Sequence, residues 1–460
     1  MPEPVSSPLL SRRDFLSTSA KLGAVLVAAP YVSRAASAGD TLNVALIGCG
    51  EQGRVLINAA LKIPDLRFRG VCDIWPYNRT YAERLLKKFS HDARPFDDYR
   101  EMLAALPDLD AVLIATPDFM HAEHTNAALR AGRHVYCEKL MSNTVEGARS
   151  MVHTARETGK LLQIGHQRRS NPRYIHARDQ LVREAKLLGR INNASGQWNR
   201  AVADDLGFPA SQALPEARLQ QYGYTNMHEF RNWRWFKRYA GGPISDLGAH
   251  QIDVFNWMLG TNPSSVIAGG GADYYRTHEW YDNVMAIYEF PTPDGTVRAL
   301  YQVLTTTSAG GGYHEYFMGD EGALKMSENP NYTKLYREAR APDWEPFVTR
   351  ALISRPGSGE GAPAALKPWE KPRPKFGGPA RSTTVDVRET AELSAWDIPV
   401  TLDKAIHQPH LENFFAAIRN NTPLTCPADS AFATAVTVLK VNDAVAARKM
   451  LTFTPADFVA

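Results

Sequence analysis

Cysteine is scarce in this 460-residue chain: Cys49, Cys72, Cys137 and Cys426 are the full set, and no two stand in CxxC spacing. That pattern excludes a disulfide framework and gives no support for a structural zinc site; three of the four fall at or near the ends of apolar runs, where cysteine behaves as a small hydrophobe. An excess of charge is also missing. Lysine and arginine number 52 against 49 aspartate and glutamate, a net of +3, and no basic run is interleaved with aromatics. Nucleic acid is therefore not a partner the composition supports. Internal repeats are absent. The composition, 44% hydrophobic and 22% charged, is that of an ordinary globular protein, and the length exceeds a single core and implies two domains.

What is present centres on N-V-A-L-I-G-C-G-E-Q-G-R, residues 43–54. A short apolar run, Val44 to Ile47, fits a buried strand of a parallel sheet and leads into Gly48-x-Gly50-x-x-Gly53, followed by a helix-compatible run from Val55 to Leu61. Strand, glycine turn and helix in this order predict a dinucleotide site. Gly48 makes the tight turn, Gly50 lets backbone approach a pyrophosphate, and Gly53 lets the helix pack closely. Glu51 and Gln52 lie within the loop. The pyrophosphate would rest on the unpaired N–H groups that open the helix. The next apolar run, Leu66 to Cys72, ends at Asp73, about 20 residues beyond Gly53, where an acid binds the adenosine ribose hydroxyls. Arg79 could instead hold a 2′-phosphate, so NAD and NADP both stay open.

Strand-like and helix-like runs then alternate. Tyr77 to Phe89 reads as a helix, Ala111 to Ala115 as a strand ending in Thr116-Pro117, and Glu123 to Ala131 as a helix. His134 to Cys137 is a strand closing on Glu138-Lys139, Val145 to Thr158 a helix, and Leu161 to Ile164 a strand. The fold class is α/β: a doubly wound parallel sheet over residues 39–165, with Asp73, Thr116, Pro117, Glu138 and Lys139 at the carboxyl ends of strands, where such sheets bind ligands. From residue 166 to 460 the pattern changes to alternating segments such as Val284 to Phe290 and Val297 to Val303. These predict a second, α+β domain on a large open and mainly antiparallel sheet. A Pro/Gly-rich stretch, 352–384, reads as a surface excursion, and two helices, His410 to Asn420 and Ser430 to Ala447, end the chain.

Before the first strand, S-R-R-D-F-L (residues 11–16), an apolar stretch from Leu22 to Val32 and A-S-A at 36–38 resemble a twin-arginine export signal. Residues 1–38 are then a removable signal and the mature protein is periplasmic. The apolar stretch is too short to favour a stable membrane anchor.

Four motifs occur in order: V-A-L-I-G-C-G-E-Q-G, A-T-P-D-F-M-H (115–121), A-G-R-H-V-Y-C-E-K (131–139) and G-G-P-I-S-D-L-G-A-H-Q-I-D (241–253). Together they resemble the glucose–fructose oxidoreductase / inositol dehydrogenase (Gfo/Idh/MocA) family. The resemblance implies a Rossmann domain, a C-terminal domain with an open sheet that often mediates dimers or tetramers, and nicotinamide-dependent chemistry on a sugar or cyclitol. It marks His250 as the catalytic histidine, and histidine titrates near working pH without much adjustment. Asp246 precedes it by four residues, one turn if the segment is helical, and would bind a neighbouring hydroxyl and tune His250. Lys139 matches the lysine of the family's E-K-P motif, where an ammonium steadies a developing alkoxide. Leu140 replaces the family's proline, and a non-proline cis peptide costs about 3 kcal/mol, so a trans bond that shifts Lys139 is the expectation.

His121 stands where it lines the cofactor pocket or caps a helix. His166, Arg168 and Asp253 either contact substrate or are structural, and Trp235 either stacks on a sugar face or joins an aromatic core. The Asp/His pair lacks a third ligand at metal spacing, so no metal is expected. The expected activity is hydride transfer between a tightly held NAD, or NADP, and a secondary hydroxyl of a small carbohydrate. The alternatives are a NAD-dependent glycosidase acting by transient oxidation and elimination, and a sugar-binding protein without activity.

Overall fold

A computed structural model describes residues 41–357 and 393–460; the signal-like segment 1–38 and most of the 352–384 excursion lie outside them. The first sheet has six strands: β1 (Leu42–Ile47), β2 (Leu66–Cys72), β3 (Arg94–Phe96), β4 (Ala111–Ile114), β5 (His134–Cys137) and β6 (Leu162–Ile164). Their order is β3-β2-β1-β4-β5-β6, every pair parallel, and the reversal on either side of β1 opens a crevice at the strands' carboxyl ends. The crossovers are α1 (Glu51–Ala60), α2 (Pro76–Lys88), α3 (Tyr99–Ala105), α4 (Asp118–Arg130) and α5 (Val145–Thr158). Strand bounds follow the apolar runs closely. Two helices begin earlier than the periodicity indicated. Gly50 is the N-cap of α1, so Gly53 already lies in its first turn, and extended Pro117 caps α4, which starts at Asp118, five residues ahead of Glu123.

The second sheet is nine-stranded: β7 (Ile191–Asn199), β8 (Ser265–Gly271), β9 (Asn283–Thr292), β10 (Gly295–Leu304), β11 (Tyr313–Gly319), β12 (Gly322–Met326), β13 (Lys334–Arg337), β14 (Ser394–Trp396) and β15 (Leu451–Thr452). The order is β14-β13-β12-β11-β7-β10-β9-β8-β15, with one parallel pair, β7 with β10. One face packs on α6 (Ala249–Leu259) and α8 (Ala428–Ala447).

The first sheet buries both faces. Ala45, Ile47, Val112 and Ile114 join the large core shared with α4, α5, α8 and the second sheet. Val44, Leu46 and Leu113 face α1 and α7 (Gln408–Asn420), which contributes Leu411, Phe414 and Phe415. A helix from the end of the chain therefore completes the core of the sheet that begins it. A smaller aromatic cluster joins Trp75, just beyond β2, to Leu219, Tyr224, Met227 and Tyr239.

Candidate functional site

The glycine loop fits a bound dinucleotide on its own geometry. Gly48 has φ +92°, and a Cβ there would stand 2.5 Å from the Ala115 carbonyl oxygen. A Cβ on Gly53 would lie 2.0 Å from the Gly48 carbonyl oxygen. Gly50 differs: the nearest atom to a Cβ is Asn78 Nδ2 at 3.9 Å, so the space beside it is open. No side chain caps α1, which leaves its first N–H groups to a ligand. Exposed Glu51 stands in that first turn. Asp73 closes the crevice from β2, its carboxylate accepting from the N–H groups of Cys49 and Trp75, each at 2.8 Å. Burial pushes its carboxyl up, and those N–H groups and Arg79 oppose the shift only in part.

Arg79 is engaged within the protein. Its guanidinium pairs with Asp97 and donates to the Asp73 carbonyl at 2.9 Å, so its charge is already matched. His121 also departs from expectation. It is 1% exposed, and its two ring nitrogens meet the carbonyls of Leu140 and Thr116, both at 2.7 Å, which requires both to donate. Burial opposes a charge there, but Cys137, Asp118 and the Leu140 carbonyl raise its pKa to about 10. His121 thus ties Thr116 to the Lys139–Leu140 segment and has no nitrogen to offer a cofactor. Thr116 and Pro117 lie where β4 approaches Gly48, and the Thr116 hydroxyl is 3.1 Å from His124 Nδ1. Glu138, nearly buried, accepts from Gln52 at 2.9 Å; Gln52 also reaches His407 Nε2 at 3.1 Å.

The Lys139–Leu140 peptide is cis despite the leucine, correcting the trans expectation. Lys139 extends to Asp246, donating to its carbonyl at 2.5 Å and lying 3.8 Å from Oδ1. Asp246 sits in a π-helical turn, Ile244–Gly248, that runs into α6 carrying His250. Arg234 Nε donates to the same Oδ1 at 3.1 Å. Burial alone would raise the Asp246 carboxyl; Arg234, Lys139 and Arg200 overcome it and hold the group well below the usual carboxylate range. Asp246 is thus an anchor for Lys139. Burial, then Lys139, Arg168, His166 and His407, hold the His250 imidazole neutral, its pKa well below the usual range. Its Nδ1 is buried without a partner, and its ring tilts against Trp198 at 5.8 Å.

Two residues assigned to substrate lie behind the site. Arg168 is 1% exposed and bridges Glu315 and Glu328, the latter at 3.1 Å. Asp253 accepts three bonds from Arg169 at 2.7–3.1 Å and another from Thr434 at 2.7 Å. Both charges are matched within the protein, although Arg168 Nε is buried without a hydrogen-bond partner. His166 is buried, 3.8 Å from Asp253, with both ring nitrogens unpartnered; burial lowers its pKa to about 4, Arg169 and Lys139 assisting and Asp253 opposing. Trp235 does face the cleft, stacked on His278 at 4.3 Å and lining the same hollow as Asp246, Arg200, Arg234 and Tyr275. Sequence reasoning missed Arg200, Arg234 and His407. Arg234 was legible only as part of the aromatic N-W-R-W-F run. Among the described residues no cluster of histidine, cysteine and acids could hold a metal ion, and no helix is long and apolar enough to cross a membrane.

Comparison with known proteins agrees with this architecture. Residues 42–166 match the oxidoreductase family with a NAD-binding Rossmann fold, and residues 184–325 match the GFO/IDH/MocA C-terminal domain. A 1,5-anhydro-D-fructose reductase of Ensifer adhaerens is 30% identical over 252 residues, 54% of this chain and 67% of that protein. A D-glucoside 3-dehydrogenase of Escherichia coli (strain K12) is 31% identical over 228 residues, 49% of this chain and 56% of that one. The chain thus spans about half to two thirds of the length of these curated relatives. A levoglucosan dehydrogenase in complex with NADH shares the fold at TM-score 0.63 and 18% identity, covering 90% of this chain and 99% of the other. The chain is therefore a member of the GFO/IDH/MocA oxidoreductases, with a NAD-binding Rossmann fold at residues 42–166.

Proposed function

We propose that the protein transfers hydride between NAD(H) and a secondary hydroxyl of a sugar, glycoside or cyclitol. The observation that carries the reading is the pairing of an anchored cation, Lys139, with a buried neutral imidazole, His250, beyond the carboxyl ends of the first sheet. Gly48, Gly50, Gly53 and the start of α1 would hold the pyrophosphate, and Asp73 the ribose. The commitment of Arg79 to Asp97 favours NAD over NADP. When bound, the nicotinamide supplies the hydride acceptor. Lys139 orients the substrate oxygen and stabilises the alkoxide as its proton leaves. Neutral His250 takes that proton, and Asp246 fixes Lys139 in place. The names of the two curated relatives, a reductase and a dehydrogenase of sugars, support the substrate class.

The test is the NAD-loaded full chain offered methyl glycosides and myo-inositol, with NADH read by absorbance. His250→Ala should abolish turnover with NAD still bound; unchanged turnover removes His250 from the mechanism. Aglycone release from chromogenic glycosides without net NADH would assign the glycosidase chemistry instead. Export rests on the arginine pair Arg12-Arg13, and cell fractionation with an Arg12→Lys/Arg13→Lys variant tests it. A homo-oligomer is supported by the open face of the second sheet. Ile267, Ile287 and Leu300 lie side by side across β8, β9 and β10, all exposed, with Met285 beside them. Sedimentation of the wild type against Ile287→Lys would read it.

A further inference from the structure

We propose that the substrate carries an anionic substituent, held by Arg200 and Arg234 beside the reacting hydroxyl; this rests on the dehydrogenase reading above. The hollow next to the Lys139–Asp246 pair has apolar walls, Trp235, Tyr275, Pro243 and Leu247, and two guanidinium groups, Arg200 and Arg234. Three rings pack together in this wall: His278 stacks at 4.3 Å on each of Trp235 and Tyr275 with near-parallel planes, and those two are 5.9 Å apart. An apolar ring face suits the C–H face of a pyranose.

The balance of charge is what points to an anion. Lys139 and Arg234 converge on a single carboxylate oxygen of Asp246, at 3.8 and 3.1 Å. Arg234 uses its Nε for that contact, and its two terminal nitrogens donate to nothing among the described residues. Arg200 forms no ion pair with any described residue; its guanidinium rests over the Trp198 ring at 5.3 Å. Of the other acids near Arg234, Asp118 is buried beneath Ser245, where burial disfavours its charge, and Glu51 is exposed at the start of α1. Among the described residues, Asp246 is the only carboxylate within ion-pair distance of Lys139 or Arg234, and Arg200 has none. A ligand carboxylate or phosphate would match the surplus through charge-assisted bonds, which are about twice as strong as neutral ones, whereas a neutral sugar would leave Arg200 solvated or facing hydroxyls.

The competing use of the same cations is the cofactor's pyrophosphate, since Glu51 at the start of α1 is close enough to act on Arg234. The experiment separates them. NADH formation by the NAD-loaded full chain is measured with D-glucose, D-glucuronate and glucose 6-phosphate, and NAD affinity is titrated in wild type and Arg200→Gln. The expected result is a kcat/KM for one of the two anions about 10- to 100-fold above that for glucose. Which anion it is names the source of the charge. Arg200→Gln should bring that ratio near unity through KM, with NAD affinity unchanged. Turnover of glucose with no preference for either anion overturns the proposal and leaves the dehydrogenase reading intact. A fall in NAD affinity in Arg200→Gln also overturns it and gives the cations to the pyrophosphate. If no sugar is turned over, ligand-induced thermal shift decides. A shift by an anion that Arg200→Gln removes retains the anion site while the dehydrogenase reading falls, and no shift removes both.

Discussion

Replacing Gly50 by alanine should separate folding from cofactor binding at a single methyl group. Its φ of −66° is open to any residue, and the nearest atom to an added Cβ is 3.9 Å away, an ordinary contact. Alanine gains about 0.4–1 kcal/mol by restricting the unfolded chain, and loses a similar amount as a poorer N-cap than glycine. The free protein should therefore keep its stability to within about 1 kcal/mol. The same methyl occupies the space through which a pyrophosphate would approach α1, and intruding on a packed contact costs about 1–3 kcal/mol. That corresponds to a rise in the Kd for NAD of about 5- to 150-fold. Gly53→Ala is the opposite control. Its Cβ would lie 2.0 Å from the Gly48 carbonyl oxygen, backbone against backbone, so stability should fall even without ligand. Urea denaturation of cofactor-stripped protein and titration with NAD read the two effects. If Gly50→Ala binds NAD as tightly as wild type, the pyrophosphate does not lie over Gly50 and the site is misplaced.

Three further outcomes are expected. Lys139→Met should lower kcat by about 100-fold or more with NAD affinity retained; a change confined to KM would make Lys139 a binding residue only. Arg168→Met should cost about 3–5 kcal/mol in urea denaturation, because Glu315 and Glu328 would be left buried without their cation; a KM effect at unchanged stability would return Arg168 to the substrate site. Acid should destabilise the fold well above the range of carboxylates. Burial lowers the pKa values of His166 to about 4 and of His124 and His410 to about 3. Their contribution is complete above the unfolded value near 6.5 and is lost as pH falls toward 4 and 3, because only the unfolded chain takes up those protons. The slope is about 1.4 kcal/mol per pH unit for each. Urea midpoints at pH 7.5 and 5.0 should differ accordingly, and equal midpoints would refute the assignment.

The features legible in the sequence are those whose physical demand is local. Gly48, Gly50 and Gly53 each answer a backbone requirement within a dozen residues, and the strands of the first sheet are short apolar runs because both faces are buried. The misread residues have partners far along the chain. Arg168 is neutralised by Glu315 and Asp253 by Arg169 and Thr434, and nothing near Arg168 or Asp253 tells whether a charge faces the cleft or the core. His121 looked available because the two carbonyls that saturate it carry no sequence signal. Arg200 lies just past the end of β7 and Arg234 in a single 3₁₀ turn, where no periodicity orients a side chain.

The docking of α7 sets the order in which the molecule can be finished. Leu411, Phe414 and Phe415 share a core with Val44 and Leu46, Gln163 donates to the His410 carbonyl at 2.7 Å, and Arg419 donates to the Asp65 carbonyl at 2.7 Å. Some 365 residues (411 less 46) separate the two sides of that core, so at 5–20 residues per second a ribosome delivers the second side about 20–70 s after the first. Through that interval the side of the sheet that α1 packs on lacks the three apolar side chains that α7 brings to it. The nucleotide-binding half is thus among the first parts synthesised and among the last completed, and a chain stopped before residue 408 would carry every glycine of its cofactor loop on a sheet with one side only partly covered.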